Sequence, residues 1–409
     1  MFLSGTYKFL AFRRSESSSC RSFDGTQDKL PAASRFRFQF EFKNRLDSGF
    51  RRNDGDKSRL PVDQFATLGL EPERRAQMRR SKQLSLATLV LILCVGWHQA
   101  TLYAQERVKI AYSSADASNA VWFLALDAGL YRKNGLDVEL VFIQSSTTSV
   151  SSVVAGDIQV ANTSGGAVAS AVVGGANLIM TACYINTLPY ELIVQESVKS
   201  VEDLKGKSVG ISRVGSASDV AARVLIKGLG LEPVKDVPII QVGGPSERAA
   251  AFRTGRIVGF PSPPGTIHLA KGMPHRIMIS TADFQKRFDF PYICSTTTKP
   301  YFATKRDTVR RLTMALIEAT HFLKTRKEET KKYIAKYTHQ NDPQYLEASY
   351  MANVKLHDRV PLVTREGTEV QIKEALARKP GATLKVEDIV DDSIVRELDK
   401  SGFIDKIYK

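Results

Sequence analysis

A series of matching residues at a constant offset of 99 positions constrains this chain more than any single motif. Ser113 ends a short apolar strand that begins at Val108, and Ser212 ends another that begins at Lys207. In the same register Val121 matches Val220, Leu126 matches Leu225, Gly129 matches Gly228, and Val138 matches Val237. Gly156 then matches Gly255, and Ile158 matches Ile257. One coincidence means nothing, but a gapless series describes a duplicated unit. Each copy reads as a strand (108–112 or 207–211), a Ser-rich turn, and a helix that a glycine closes. A second strand follows (138–143 or 237–242), then a polar loop and helix, then a third apolar segment (158–161 or 257–260). Strands alternating with helices build parallel sheets covered on both faces, so the fold class expected is α/β with two lobes. Ligands of such sheets sit beyond the carboxyl ends of the strands, and two facing lobes would place both sets of ends on one cleft. Beyond Lys305 the spacing of apolar residues predicts helices over Asp307–Lys327, Pro343–Leu356, Arg365–Arg378 and Val386–Ser401, returning to pack on the first lobe.

The residues ahead of the repeat read differently. Residues 1–77 show no sustained helical or strand period, and Ser34–Gly55 looks like translated intergenic repeat DNA. This stretch is expected to be an extension upstream of the true start. From Met78, a basic stretch (Arg79, Arg80, Lys82) leads into a mostly apolar run, Leu84–Trp97, and then small residues at Ala100 and Ala104. That is the order of a secretory signal peptide (78–105) cleaved near Ala104, and the apolar run is too short to span a bilayer. The net charge of +15 is then less telling than it looks. Of 58 Lys/Arg and 43 Asp/Glu, 18 and 10 fall in residues 1–105, and the rest are scattered with no basic stripe. Nucleic-acid binding is not expected. Of four cysteines only Cys183 and Cys294 lie in the exported part. Such residues are commonly buried small hydrophobes, and whether these two pair is left open.

Four segments carry a family resemblance: GLYRKNGLDVEL (129–140), AGDIQVA (155–161), VEDLKGKSVGI (201–211) and DSIVRELDKSGF (392–403). With them the chain resembles periplasmic solute-binding proteins of the nitrate/sulfonate/taurine group of ABC importers, which also includes binders of the thiamine pyrimidine precursor. The resemblance implies a type II periplasmic-binding-protein fold, with lobe 1 formed by 106–190 plus 296–409 and lobe 2 by 191–295. It places two crossing strands near Tyr190–Gln195 and Pro291–Thr297. It also implies a monomer that hands a small-molecule ligand to an ABC transporter permease and meets the membrane only through that permease. One departure from the family is that Gly255–Gly259 lacks the acidic residue that Asp157 supplies in the first copy.

Candidate ligand contacts are the loops at the strand ends. In lobe 1 these are Ser113 and Ser114 with Asn119 and Trp122, then Ser145 and Ser146, then Thr163, Ser164 and Gly165. In lobe 2 they are Ser212, Arg213, Gly215 and Ser216, then Ser262. Hydroxyls and glycines at helix starts expose backbone N–H groups and the positive end of the helix dipole, which suits a sulfonate, a carboxylate or another oxyanion. Each position alone reads equally well as an N-cap. Arg213 is singled out because a guanidinium grips an oxyanion with two parallel hydrogen bonds. Trp122 reads as a stacking wall or, at helical spacing with Leu126, as core, and Tyr292 is a second aromatic candidate. No catalytic or metal-binding motif and no cofactor loop is apparent, so neither enzyme chemistry nor a cofactor is expected. Alternative readings are a binder of a neutral pyrimidine-type precursor, a periplasmic sensor subunit, and a pyrimidine-synthesis enzyme of the same fold.

Overall fold

The computed structural model describes residues 105–409 except 264, 267–271 and 285–287. The expected extension and signal peptide, with Cys20, Cys94 and His98, lie outside the described residues, as do Pro264 and His268.

Two five-stranded sheets form the frame. The first takes β1 (Glu106–Tyr112), β2 (Leu136–Phe142), β3 (Val160–Thr163), β4 (Leu178–Thr187) and β10 (Asp289–Thr298). The second takes β5 (Glu191–Gln195), β6 (Val209–Ile211), β7 (Ile239–Gln241), β8 (Gly259–Ser262) and β9 (His275–Ser280). Their orders are β2-β1-β3-β10-β4 and β7-β6-β8-β5-β9, the same arrangement twice. The 99-residue offset extends to individual ladder pairs. Ile110 lies opposite Leu140 and Val160, and Val209 lies opposite Ile239 and Gly259. The helices follow suit: α1 (Ala120–Asp127) and α2 (Ser146–Ala155) in the first copy answer to α4 (Ala217–Gly228) and α5 (Pro245–Arg253) in the second, with α3 (Gly165–Val173) between them in sequence. Gly156 and Gly255 both close their helices in left-handed geometry, at φ 86° and 71°. The pattern slips at Gly228, which lies inside the helix, where a side chain would meet the Phe284 ring at 2.7 Å; Gly230, at φ 79°, takes the left-handed position.

The sheets are mixed where parallel sheets were expected, because each receives one strand from the opposite direction. β5 runs antiparallel between β8 and β9, and β10 antiparallel between β3 and β4. The first connection between the sheets lies between Thr187 and Glu191. The return lies between Ser280 and Asp289, so Pro291–Thr297, the stretch expected to cross, is already inside β10. Residues 289–295 consequently pair in the first sheet. The two connections are bonded to each other: the Thr281 N–H donates to the Tyr190 carbonyl (2.9 Å) and the Thr281 hydroxyl to the Leu188 carbonyl (2.6 Å).

Cys183 and Cys294 stand directly opposite each other on β4 and β10 and are joined in a disulfide. Both are fully buried, so the apolar habit expected of them holds within the bond.

The C-terminal part packs on the first sheet's side. α6 (Arg306–Thr325) buries Val309, Leu312, Leu316, Ala319 and Leu323 at three-to-four spacing, and Asp307 in its first turn pairs with Arg311 (2.8 Å). α7 (Lys327–Thr338), which the sequence pattern missed, stacks Tyr337 on Phe123 of α1 at 4.2 Å between ring centres. α8 (Pro343–Leu356) is capped by Asp342, and α9 (Arg365–Ala377) lies against α3. The helix expected over Val386–Ser401 is broken. Ile389 and Asp391 bond their backbones to Met180 of β4, so only α10 (Ser393–Lys400) remains helical after the initial turn. Strand-like pairing at the sheet edge overrides the apolar period there.

His357, just past α8, is buried, and burial holds its pKa down at about 4. The unfolded chain binds a proton near the ordinary value of about 6.5 while the folded chain does not, so stability is lost as pH falls from about 6.5 to 4. The loss expected is about 3 kcal/mol at full effect. Urea titrations at pH 7 and pH 4.5 should show it, and His357→Gln should flatten the slope; an unchanged slope in that variant would remove His357 as its origin.

Candidate functional site

The carboxyl ends of the first two parallel strands of each sheet, β1 and β2 and then β6 and β7, meet at one cavity of about 40 Å³, room for roughly three waters. From the first lobe come Ser113 and Ser114 after β1, and Gln144, Ser145 and Ser146 after β2. From the second come Ser212, Ser216 and Ser218 around the start of α4, with Gly244, Pro245 and Arg248 at the start of α5. Tyr190 and Tyr292 complete the wall, each at the point where a crossing strand passes the carboxyl end of the third strand: Glu191 pairs with Ser262, and Cys294 with Thr163.

The start of each of α2, α4 and α5 faces this space, so the free N–H groups of their first turns and the positive ends of their dipoles converge. Ser145, the N-cap of α2, sits at φ 83°, a conformation that costs an L-residue of order 1–3 kcal/mol and concentrates at functional sites. Ser145→Gly is expected to raise stability by about 1 kcal/mol while weakening ligand binding. A denaturant titration showing destabilisation instead would contradict the strain.

Arg248 carries the site's only formal charge among the described lining residues. It is 3 % exposed, donates to the Pro261 carbonyl (2.8 Å) and the Gly244 carbonyl (3.3 Å), and lies over the Phe260 ring. No carboxylate of the described residues pairs with it within 4 Å. Burial pushes its pKa down, against the pull of Tyr190, Asp116, Tyr292 and Glu247. A desolvated cation with only neutral partners is an incomplete arrangement that an anion would complete. Asp116 is buried nearby, but Ser114 and Ser118 both donate to it, and it caps the turn before α1. The Tyr292 hydroxyl bridges Ser118 and Tyr190 at 3.3 Å each, and burial pushes Tyr190 up to about 12 and Tyr292 well above its usual value. Both tyrosines are therefore neutral donors at physiological pH. Ser212, Ser216 and Ser218 bond one another at 2.8–3.0 Å, leaving hydroxyls that can reorient toward a guest.

Two cross-lobe contacts flank the cavity. Gln144 donates to Glu247 (3.0 Å), and Arg378 approaches Asp219 to 4.0 Å.

Of the residues singled out from sequence, Ser113, Ser114, Ser145, Ser146, Ser212, Ser216 and Tyr292 line the cavity. The others are placed elsewhere. Asn119 is buried and bonded to Asn162, and Trp122 is fully buried against Tyr184. The ends of the third strands are covered by the crossing strands. Thr163 bonds Thr296 (2.6 Å), Ser164 is buried, and a side chain at Gly165 would meet Pro291 at 2.2 Å. Ser262 is buried and bonded to Thr266. Gly215 donates its N–H to Asp219 (2.8 Å). Arg213 is exposed and does not line the cavity. Sequence reading missed Arg248 because it followed the loops only to their helix starts; this arginine stands one turn inside α5, whose opening Gly243-Gly244-Pro245 was the available signal. Among the described residues no three His, Cys, Asp or Glu are grouped to hold a metal ion, and no helix is long and apolar enough to cross a membrane.

Comparison with known proteins agrees with this fold. Over 245 residues the chain is 24% identical to a binding protein of Brucella abortus (strain 2308), covering 56% of this chain and 71% of that one. The fold is shared with the alkanesulfonate-binding protein SsuA from Xanthomonas axonopodis pv. citri bound to MOPS (TM-score 0.60, 16% identity, 70% of this chain and 98% of that one). It is shared equally with the periplasmic nitrate-binding protein NrtA from Synechocystis PCC 6803 (TM-score 0.62, 16% identity, 73% and 89%). The model of the NMT1-like family matches residues 103–339, more than half of the chain and both copies of the repeat, and the chain belongs to that family.

Proposed function

We propose that this protein is the extracytoplasmic substrate-binding component of an ABC importer and that it captures a small organic monoanion, sulfonate- or carboxylate-like, by closing its two lobes. The observation that carries the reading is Arg248, a buried guanidinium held by two carbonyls and a ring at the edge of a cavity otherwise lined by hydroxyls and helix N-termini. A neutral pyrimidine would leave that charge unpaired. The neighbours that share the fold bind sulfonates and nitrate, which agrees. Capture without chemistry fits a lining whose tyrosines are held protonated and whose cation cannot serve as a base near neutral pH. Export fits the buried disulfide, a bond that persists in oxidising compartments. With two connections between the lobes acting as the hinge, closure traps the guest and would present a closed form to a permease.

The test is a thermal-shift panel of alkanesulfonates, short carboxylates, nitrate and neutral pyrimidines, since a ligand bound only by the folded state raises the melting temperature by mass action. A shift with at least one monoanion and none with pyrimidines is expected. A shift with pyrimidines alone would overturn the reading.

A further inference from the structure

The size and lining of the cleft cavity restrict its guest further than the charge of Arg248 does. Three contacts bridge the lobes, so the cavity has the volume of a closed cleft. Gln144 donates to Glu247 (3.0 Å), and Arg378 approaches Asp219 to 4.0 Å. The Gly265 backbone of the second lobe also runs so close to α8 that a side chain there would meet the Ser349 Cα at 3.0 Å. The space enclosed, about 40 Å³, takes a guest of about five non-hydrogen atoms, far below the roughly 300 Å³ at which drug-sized sites begin. Its lining is polar almost throughout: of the described residues facing it, only Ala217, Pro245 and Ile293 present apolar side chains. Arg248 supplies a cation from the second lobe. The first-lobe wall has none, but the Ser113 and Ser146 hydroxyls make no hydrogen bond with the described residues, and the free N–H groups at the start of α2 lie beside them. A methyl group set against those donors would leave them buried and unpaired, a cost that a second oxygen on the guest avoids.

We propose that the guest is a compact carboxylate bearing a second oxygen, a hydroxy- or oxo-acid of about two or three carbons, with its carboxylate on Arg248 and its second oxygen on the first-lobe hydroxyls. This rests on the capture reading above and narrows it. A long alkyl chain has no room in the closed cleft, and a short one has no apolar wall to lie against.

The experiment titrates glycolate, propanoate and hexanoate into the purified protein by calorimetry. Glycolate and propanoate have equal numbers of non-hydrogen atoms and differ by a hydroxyl in place of a methyl, so size cancels between them. A site that pairs with a guest hydroxyl rejects the analogue lacking it, and glycolate is expected to bind at least roughly tenfold more tightly than propanoate. Hexanoate is expected not to bind at millimolar concentration. Ser113→Ala/Ser146→Ala, which breaks no side-chain hydrogen bond among the described residues, should weaken glycolate roughly fivefold and leave propanoate nearly unchanged. A general loss of structure would weaken both alike, and an equal loss overturns the placement of the second oxygen. Propanoate as tight as glycolate, or hexanoate as tight as either, overturns the proposal. So does binding of methanesulfonate with none of glycolate, in which case capture of a monoanion still stands. Silence from every monoanion tried, methanesulfonate included, sinks the proposed function and this narrowing with it.

Discussion

Arg248→Met is expected to weaken capture of an anionic ligand by about 100- to 1000-fold without lowering the stability of the empty protein. The two halves of that result have different causes. In the complex the guanidinium is the cation that offsets the buried charge of the guest, and truncating one member of a buried charged pair costs roughly 2–5 kcal/mol. In the empty protein the same group is a desolvated charge with only the carbonyls of Pro261 and Gly244 and the Phe260 ring for company. Replacing it with an apolar side chain of similar length removes that desolvation cost and gives up two hydrogen bonds, so the balance should fall near zero. Arg248→Lys should be intermediate, because an ammonium keeps the charge but loses the planar fork. Titration calorimetry gives the affinity and denaturant unfolding the stability. Affinity within threefold of the native protein in Arg248→Met would remove this residue from the site.

The second large effect is expected from removing the disulfide. Cys183 and Cys294 are 111 residues apart, and the loop they close contains the whole of the second sheet. A crosslink across so long a loop restricts the unfolded chain strongly, and its loss should cost about 4 kcal/mol, lowering the melting temperature by roughly 10 °C. The double variant Cys183→Ala/Cys294→Ala avoids a lone thiol. Ligand binding should suffer less than stability, although Tyr292 lies two residues from Cys294 on β10 and some loosening is expected. Calorimetric scans of the variant against the native protein decide the matter. A melting temperature unchanged to within 2 °C would mean that the β4–β10 ladder is held by its hydrogen bonds and packing alone.

The architecture was legible because it is repeated. A duplicated strand–helix unit leaves the same apolar and glycine spacing twice, and the ladder partners of β1 and β6 show that the register had been written at single-residue precision. What the repeat could not show was where one lobe hands over to the other. The crossing strands β5 and β10 have no counterpart in the offset series, and their apolar runs read alike whichever sheet accepts them. The lobe boundary was therefore set at 295, inside β10, instead of ahead of Asp289. The broken C-terminal helix has a related cause: its apolar spacing is genuine, but Ile389 and Asp391 satisfy their backbones on Met180 at a sheet edge that sequence cannot see.

The site was half legible. Ser113, Ser145 and Ser212 follow from strand ends and helix starts, because the fold directs those positions to the cleft. Thr163, Ser164 and Ser262 have the same local sequence character, yet the crossing strands lie over them. Arg213 and Arg248 show the limit most clearly. Both are arginines near strand ends of the same sheet; one turn of helix and the neighbouring Phe260 bury the second and leave the first in solvent. Nothing in the local composition separates them.

A crystal structure with the tightest monoanion from the thermal panel tests the central claim most directly. The account expects the anionic oxygens within hydrogen-bonding distance of the Arg248 guanidinium and of hydroxyls from both lobes, Ser113 or Ser145 on one side and Ser212 or Ser216 on the other, with the ligand chemically intact. An anion bound outside the cleft, or held there by one lobe with Arg248 untouched, would contradict it.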